Sequence, residues 1–300
     1  MEASRLPAME GSSISGIRQI LNDYVVLTKP KVQSLLLLTT VAAMEIAGSP
    51  SISLIILTCL GGYLSAGGAG AINHWYDRDI DLQMERTSTR PVASGRVKPN
   101  AALAFGLSLT AVSLIEMTVF VNLLSALLAF SGFLGYTLIY TLWLKRSTPQ
   151  NIVIGGAAGA VPPLVGWAAV TGSLELAAIY LFAIVFYWTP PHFWALSLMM
   201  KDEYAKVGVP MMPVVRGEEE TRRQIVLYTV LLIAVTLLPV AGGLFGLLYL
   251  VAAVILDGIF LTLAIRLQKA ATRPAALRLY LYSLGYLALL FAAMVVDSKI

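Results

Sequence analysis

GGYLSAGGAGAINHWYDRDIDLQMERTSTRPVASGRVKP, residues 61–99, opens apolar and glycine-rich and turns acidic at its centre. Asn73, Asp77 and Asp81 stand four apart, so on a helix they share one face, drifting by about 40° per step. Followed backward, the same stripe is Ala69, Ser65 and Gly61. Small side chains thus run along a face that ends in an amide and two carboxylates, and they leave room for a cavity or a close helix neighbour. Carboxylates one helical turn apart repel each other unless a cation lies between them. Mg2+ is the expected counter-charge, because it keeps few protein ligands and shares itself with phosphate oxygens. The plainer alternative is a solvated loop neutralised by nearby arginines; the strict spacing and the small-residue stripe weigh against it.

Composition sets the class. Of 300 residues, 58% are hydrophobic and only 13% charged, about half the charge of an ordinary globular domain. Mean hydropathy is +0.78. The chain reads as an integral membrane protein. The first 23 residues hold no apolar signal-peptide core, so no cleavage is expected. Residues 1–28 read as a polar tail and a short amphipathic helix, IRQILNDYVV, which is either a surface element or an interfacial anchor. Residues 29–300 read as one transmembrane domain. The single cysteine, Cys59, excludes an intramolecular disulfide.

Runs of ~20 apolar residues fall at about 32–48, 52–75, 101–120, 122–143, 150–171, 176–199, 224–242, 244–266 and 277–296, which makes nine candidate spans. Twenty of the 21 Lys and Arg residues then lie before the first span, in 76–99, after the fourth span, in 201–223, or around 266–278. Nine spans put all five segments on one side, and Lys299 is the single exception. The positive-inside rule makes that side cytoplasmic, with the N-terminus there, in the cell (inner) membrane. The expected fold is an all-α polytopic bundle around a central cavity. In the fifth span, Gly155 and Gly159 with Pro162-Pro163 allow either close packing or a substrate role. In the sixth, Pro190-Pro191 beside aromatic residues and His192 predicts a kinked helix lining an interior space.

The second polar loop, KDEYAKVGVPMMPVVRGEEETRR, puts Asp202 and Glu203 directly after the sixth span, as Asp77 follows the second. Lys206 and Arg216 are placed to reach an anionic ligand. Lys145 and Arg146 close the fourth span about one turn after Tyr140, as anchors or as ligand contacts. Arg86 and Arg90 have the fork geometry for phosphate oxygens. Two acidic edges, several cations and a membrane cavity suit a lipid with a diphosphate head.

NHWYDRDID followed by RTSTRP resembles the UbiA superfamily of intramembrane prenyltransferases, whose motif is NxxxDxxxD. YTLWLKRSTPQNIVIGGAAGAVPPLVGW, WTPPHFWALSL and DEYAKVGVPMMPVV are similar to the protoheme IX farnesyltransferases (haem O synthases) within it, and together these segments cover most of residues 29–217. The resemblance implies a UbiA-like fold. It also implies transfer of the farnesyl group of farnesyl diphosphate to a vinyl group of haem b, giving haem O and diphosphate with Mg2+. It makes Asn73, Asp77 and Asp81 the metal-holding catalytic set. Arg86, Arg90, Tyr140, Lys145 and Arg146 become substrate contacts. Membrane lipid surrounds the chain, a haem A synthase or terminal-oxidase assembly factor would receive the product, and no nucleic-acid partner is expected.

The second DxxxD of many superfamily members is absent: Asp202 is followed by Lys206, and Glu203 by Val207. Glu203 is the more family-like fourth metal ligand, with Asp202 and Lys206 as substrate contacts. A haem acceptor must be oriented, and His192 with Trp188, Phe193 and Trp194 offers an imidazole and an aromatic wall. His74 adjoins the metal motif. Asp257, deep in the eighth span, carries a cost that marks function. Two alternatives stay open: a prenyltransferase with a quinone-ring precursor as acceptor, and a transporter, which also uses broken helices and midplane polar groups.

Overall fold

A computed structural model describes residues 10–300, with side chains from residue 16; the polar tail 1–9 lies outside the described residues. The elements are α1 (Glu10–Leu27), α2 (Pro30–Ala47), α3 (Ile52–Tyr76), α4 (Arg78–Gln83), α5 (Pro99–Phe120) and α6 (Leu123–Leu134). α6 runs on as a π-helical segment, Gly135–Trp143, and a 3-10 turn, Leu144–Arg146. Then follow α7 (Asn151–Thr171), α8 (Leu176–Met199), α9 (Lys201–Lys206), α10 (Met212–Val215), α11 (Gly217–Ala241), α12 (Leu247–Ala270) and α13 (Arg273–Asp297). Among the described residues there is no strand. In lipid every backbone polar group must be satisfied within its own segment, so an apolar chain of this kind folds as helices.

Among the described residues, eight helices are long and apolar enough to cross a membrane. A ninth crossing arises where α1 and α2, bent by 49° at their junction, are taken as one broken span. The bend falls at Lys29, whose φ of 55° puts a non-glycine residue in the left-handed region at a cost of about 1 kcal/mol. Pro30 disfavours the ordinary helical conformation at the residue before it, which is why the chain breaks there.

The helices close into a ring. α3 packs on α5, α5 on α6, α6 on α7, α7 on α8, α8 on α11, α11 on α12 and α12 on α13, and α13 returns to both α8 and α2. Close approaches rest on absent side chains: a Cβ at Gly68 would lie 2.6 Å from the Gly106 carbonyl of α5, and one at Gly166 would lie 2.2 Å from that of Thr40 on α2. Asp297 caps the start of α12, accepting from the backbone N–H groups of Gly246 (2.6 Å) and Tyr249 (3.0 Å). Lys299, the one cation outside the charge pattern, donates to the carbonyls of Glu45 (2.9 Å) and Gly48 (2.8 Å), tying the chain end to α2.

The proline pairs do not break their helices: α7 runs through Pro162-Pro163 and α8 through Pro190-Pro191. Asp257 has a structural explanation. Its carboxyl meets the hydroxyls of Thr236 on α11 (2.7 Å) and Tyr286 on α13 (2.6 Å), so a polar group that would be costly in lipid joins three helices.

Candidate active site

Although α3 stops at Tyr76 and α4 starts at Arg78, helical hydrogen bonding persists across the join. Asp77 N–H donates to the Asn73 carbonyl (2.9 Å) and Asp81 N–H to that of Asp77 (2.8 Å). The three motif side chains therefore keep one face, and all are buried, at 3%, 0% and 2% exposure for Asn73, Asp77 and Asp81.

Each meets its own cation. Lys29 Nζ donates to Asn73 Oδ1 at 2.5 Å. Lys145 Nζ pairs with Asp77 Oδ2. Arg90 Nη1 lies 2.8 and 2.7 Å from the two oxygens of Asp81. The Asn73 amide nitrogen donates to Asp77 Oδ2 (2.7 Å) and to Thr141 Oγ1 (3.2 Å), which fixes its orientation. Arg146 is spent mainly elsewhere: its two terminal nitrogens hold the exposed Asp79 at 2.7 Å each, and its guanidinium lies 4.5 Å over the Tyr76 ring. Those hydrogen bonds keep the Asp79 carboxyl below the ordinary carboxylate range.

The π-helical segment brings Tyr136, Tyr140 and Thr141 to this cluster. Such segments are rare and recur at functional sites, because one extra residue per turn re-aims the side chains. Lys29 Nζ lies 3.3 Å from Tyr136 Oη. Tyr140 lies beside Tyr136, with ring centroids 5.4 Å apart, and packs on Gly155, where a Cβ would come within 2.5 Å of its ring. Gly155 thus serves close packing, while Gly159 has open space beside it.

The segment after α4 is pinned by Val92 and Val97, which bury against Leu27 of α1, and by Arg96, which holds the buried Asp23 at 3.0 and 3.1 Å. It carries Arg86 and Arg90 to the second polar loop. There burial raises the Tyr204 phenol pKa, and Arg86 and Arg90 nearby pull it the other way. In α9, Asp202 and Lys206 point to the exposed side, whereas Glu203 is half-buried.

Two buried carboxylate oxygens have the hard-donor chemistry that a divalent cation takes. Asp77 Oδ1 is buried without a hydrogen-bond donor, with Arg146 Nη2 at 3.5 Å, and Glu203 Oε2 is likewise buried and unpartnered. Among the described residues no three His, Cys, Asp or Glu side chains converge, so a metal here would take one or two protein carboxylates and complete its shell from a ligand.

Along α3, about 12 Å below Asn73 and two turns down the small stripe, Ser65 lines a small pocket of about 60 Å³ that is open on one side. Its other walls include Thr40 of α2, Gly62 of α3, Gly132 of α6, and Ala158 and Pro162 of α7.

His192 is 5% exposed and lies between the rings of Trp188 (4.4 Å, 19°) and Tyr280 (4.8 Å, 25°). Trp194 is not part of this stack: it is fully buried and meets Tyr228 of α11 edge-on at 5.1 Å. The expected wall of Trp188, Phe193 and Trp194 is instead a stack of Trp188, His192 and Tyr280, with Phe193 at its edge, because successive helical residues point about 100° apart. His74 is buried beside the motif with Nδ1 unpartnered.

Residues 35–293 match the UbiA prenyltransferase family. The chain belongs to that family. As a UbiA-family chain it is 54% identical over 289 residues to a protoheme IX farnesyltransferase of Roseiflexus sp. (strain RS-1), covering 96% of this chain and 54% of that protein. It is 53% identical over 288 residues to a protoheme IX farnesyltransferase of Trichodesmium erythraeum, covering 95% of this chain and 88% of that one. The chain thus spans about half the length of the Roseiflexus relative and most of the Trichodesmium one. Among solved structures, a digeranylgeranylglyceryl phosphate synthase superposes with a TM-score of 0.77 at 20% identity, covering 93% of this chain and 99% of that one. A UbiA homologue from Archaeoglobus fulgidus bound to GPP and Mg2+ superposes with a TM-score of 0.66 at 16% identity, covering 91% and 99%. These structural likenesses establish the UbiA fold for the multi-pass bundle.

Lys29, Tyr136 and Thr141 join the site without having been singled out in the sequence. Lys29 counts there only as one loop charge among many, and its position before a proline at a helix start was the available signal.

Proposed function

We propose that this chain transfers the farnesyl group of farnesyl diphosphate to a vinyl group of haem b, releasing diphosphate and giving haem O. The observation that carries the reading is the pairing of Lys29, Lys145 and Arg90 with Asn73, Asp77 and Asp81 at the head of a small-residue stripe. A diphosphate can take over the three cations, freeing the amide and carboxylate oxygens for Mg2+. When bound, Mg2+ stabilises the charge that develops on the leaving diphosphate. Asn73, Asp77, Asp81 and Glu203 are the candidates to hold it, with one or two of these carboxylates as direct ligands. Arg86, with Arg90 and Lys145, would contact phosphate oxygens, and the farnesyl tail would run along the small-residue stripe.

The C1–O bond breaks and its electron pair leaves with diphosphate. The allylic cation is captured by the terminal vinyl carbon of haem b. Water adds to the resulting cation and loses a proton, which completes the hydroxyethylfarnesyl group. The protein's part is to position the two substrates and exclude water until capture. The haem acceptor is supported by the relatives' names, and His192 in its aromatic stack is the candidate to hold the iron.

The test supplies the purified protein with haem b, farnesyl diphosphate and Mg2+ and identifies the product by mass. Haem gaining one farnesyl group and one hydroxyl is expected. Diphosphate release with an aromatic ring precursor but not with haem would move the acceptor to the quinone class. No release with either would overturn the enzyme reading. The proposed topology places the N-terminus and every polar loop of the site in the cytoplasm. Reporter fusions at Ser173 and Gly217 are expected on opposite sides of the membrane, and the same side for both would overturn it.

A further inference from the structure

Ser283, fully buried in α13, is where three hydrogen bonds meet. Its carbonyl accepts the indole N–H of Trp188 at 2.8 Å. Its hydroxyl donates to the Tyr280 carbonyl at 2.7 Å, and the same oxygen lies 2.7 Å from His192 Nδ1. A serine hydroxyl has one proton and two lone pairs. With that proton on the Tyr280 carbonyl, the oxygen can only accept from the imidazole, so Nδ1 of His192 carries the N–H. A neutral imidazole with its proton on Nδ1 has a free lone pair on Nε2. The flanking rings of Trp188 and Tyr280 keep the imidazole from turning over to exchange its nitrogens. Ser283 holds one of those rings as well, through the Trp188 bond, so a single residue of α13 sets both the orientation of the stack on α8 and the tautomer inside it.

We propose that Ser283 is a positioning residue that locks His192 as the Nδ1–H tautomer, so that Nε2 is presented unprotonated to the iron of a metalloporphyrin. This rests on the haem reading above. The physical reason is general: an imidazole that ligates a metal donates its other N–H to a fixed acceptor, which sets the ring's orientation and makes the ligating nitrogen more basic. A histidine serving only to fill the core has no need of a particular tautomer, and Nε2–H is the commoner form in water.

The chain has only two histidines, so full-length protein labelled with 15N-histidine gives two imidazole signals, and His74→Gln assigns them. Without haem, His192 is expected as Nδ1–H. In Ser283→Ala it is expected to move to Nε2–H or to a mixture, and Ser283→Thr, which keeps the hydroxyl, is expected to restore Nδ1–H. Titration with iron protoporphyrin IX is expected to show at least roughly tenfold weaker binding and an altered Soret band in Ser283→Ala. Nε2–H in the unmutated protein would overturn the inference outright, whether or not any variant folds. So would Nδ1–H combined with identical haem spectra and affinities in the unmutated protein and Ser283→Ala. Failure of the haem reading itself looks different: unmutated protein with the Nδ1–H tautomer that binds no iron porphyrin removes the iron from the inference and leaves the lock.

Discussion

Asp77→Asn is expected to slow diphosphate release from farnesyl diphosphate by more than a hundredfold while leaving the protein folded. Asp77 is completely buried, accepts from Asn73 and Lys145 on one oxygen, and keeps the other free of any hydrogen-bond donor. That free oxygen is the most available metal ligand in the site. Asparagine preserves shape and volume but removes the charge, and an amide N–H₂ turned toward Lys145 cannot replace a carboxylate. Losing one anionic ligand of a divalent ion removes several kcal/mol of transition-state stabilisation, and each 1.36 kcal/mol is tenfold in rate. The measurement is single-turnover release, with thermal unfolding as the control for folding. Glu220→Ala, on the exposed run that opens α11, is expected to leave the rate unchanged. A near-normal rate for Asp77→Asn at limiting Mg2+ would sink the metal assignment.

Lys145→Met is expected to weaken binding of a non-ionising farnesyl diphosphate analogue by roughly 30-fold or more, against less than tenfold for Arg146→Met. The two cations are chain neighbours but differently placed. Lys145 is 12% exposed and pairs with a carboxylate that is wholly buried. In the bound state the diphosphate takes over this buried cation, and truncating one partner of a buried charge pair across a binding interface costs about 2–5 kcal/mol. Arg146 is 31% exposed and holds mainly Asp79, itself 55% exposed. An ion pair that wet contributes about 0–1 kcal/mol. Calorimetric titration of both variants decides the matter. Equal losses would mean that the charge of the loop as a whole, and not the buried position of Lys145, governs diphosphate affinity.

Much of this site was legible in the sequence because its signals are local. Helical hydrogen bonds join residues four apart, so the Asn73, Asp77, Asp81 face and the small stripe below it could be read directly from spacing. The apolar runs set the spans for the same reason, and the family motif lay within one continuous stretch. The choice between Asp202 and Glu203 was weakly legible: only the fold turns Glu203 inward and leaves Asp202 in the open.

What spacing could not supply is which helix faces which. A soluble helix announces its buried side by an apolar stripe, but helices in lipid are apolar all round, so the partner of each face is set by shape and hydrogen bonding. Lys29 reaches Asn73 across 44 positions of sequence, and Ser283 reaches His192 across 91. The π-helical register that aims Tyr136 and Thr141, the unbroken helices through Pro162-Pro163 and Pro190-Pro191, and the hydroxyls that satisfy Asp257 belong to the same class. By itself the sequence determined an all-helical membrane bundle, the acidic face and the family. Only the tertiary structure decided which cation meets which carboxylate and which hydroxyl meets the His192 ring, because those contacts depend on the closing of the helix ring and not on any period along the chain.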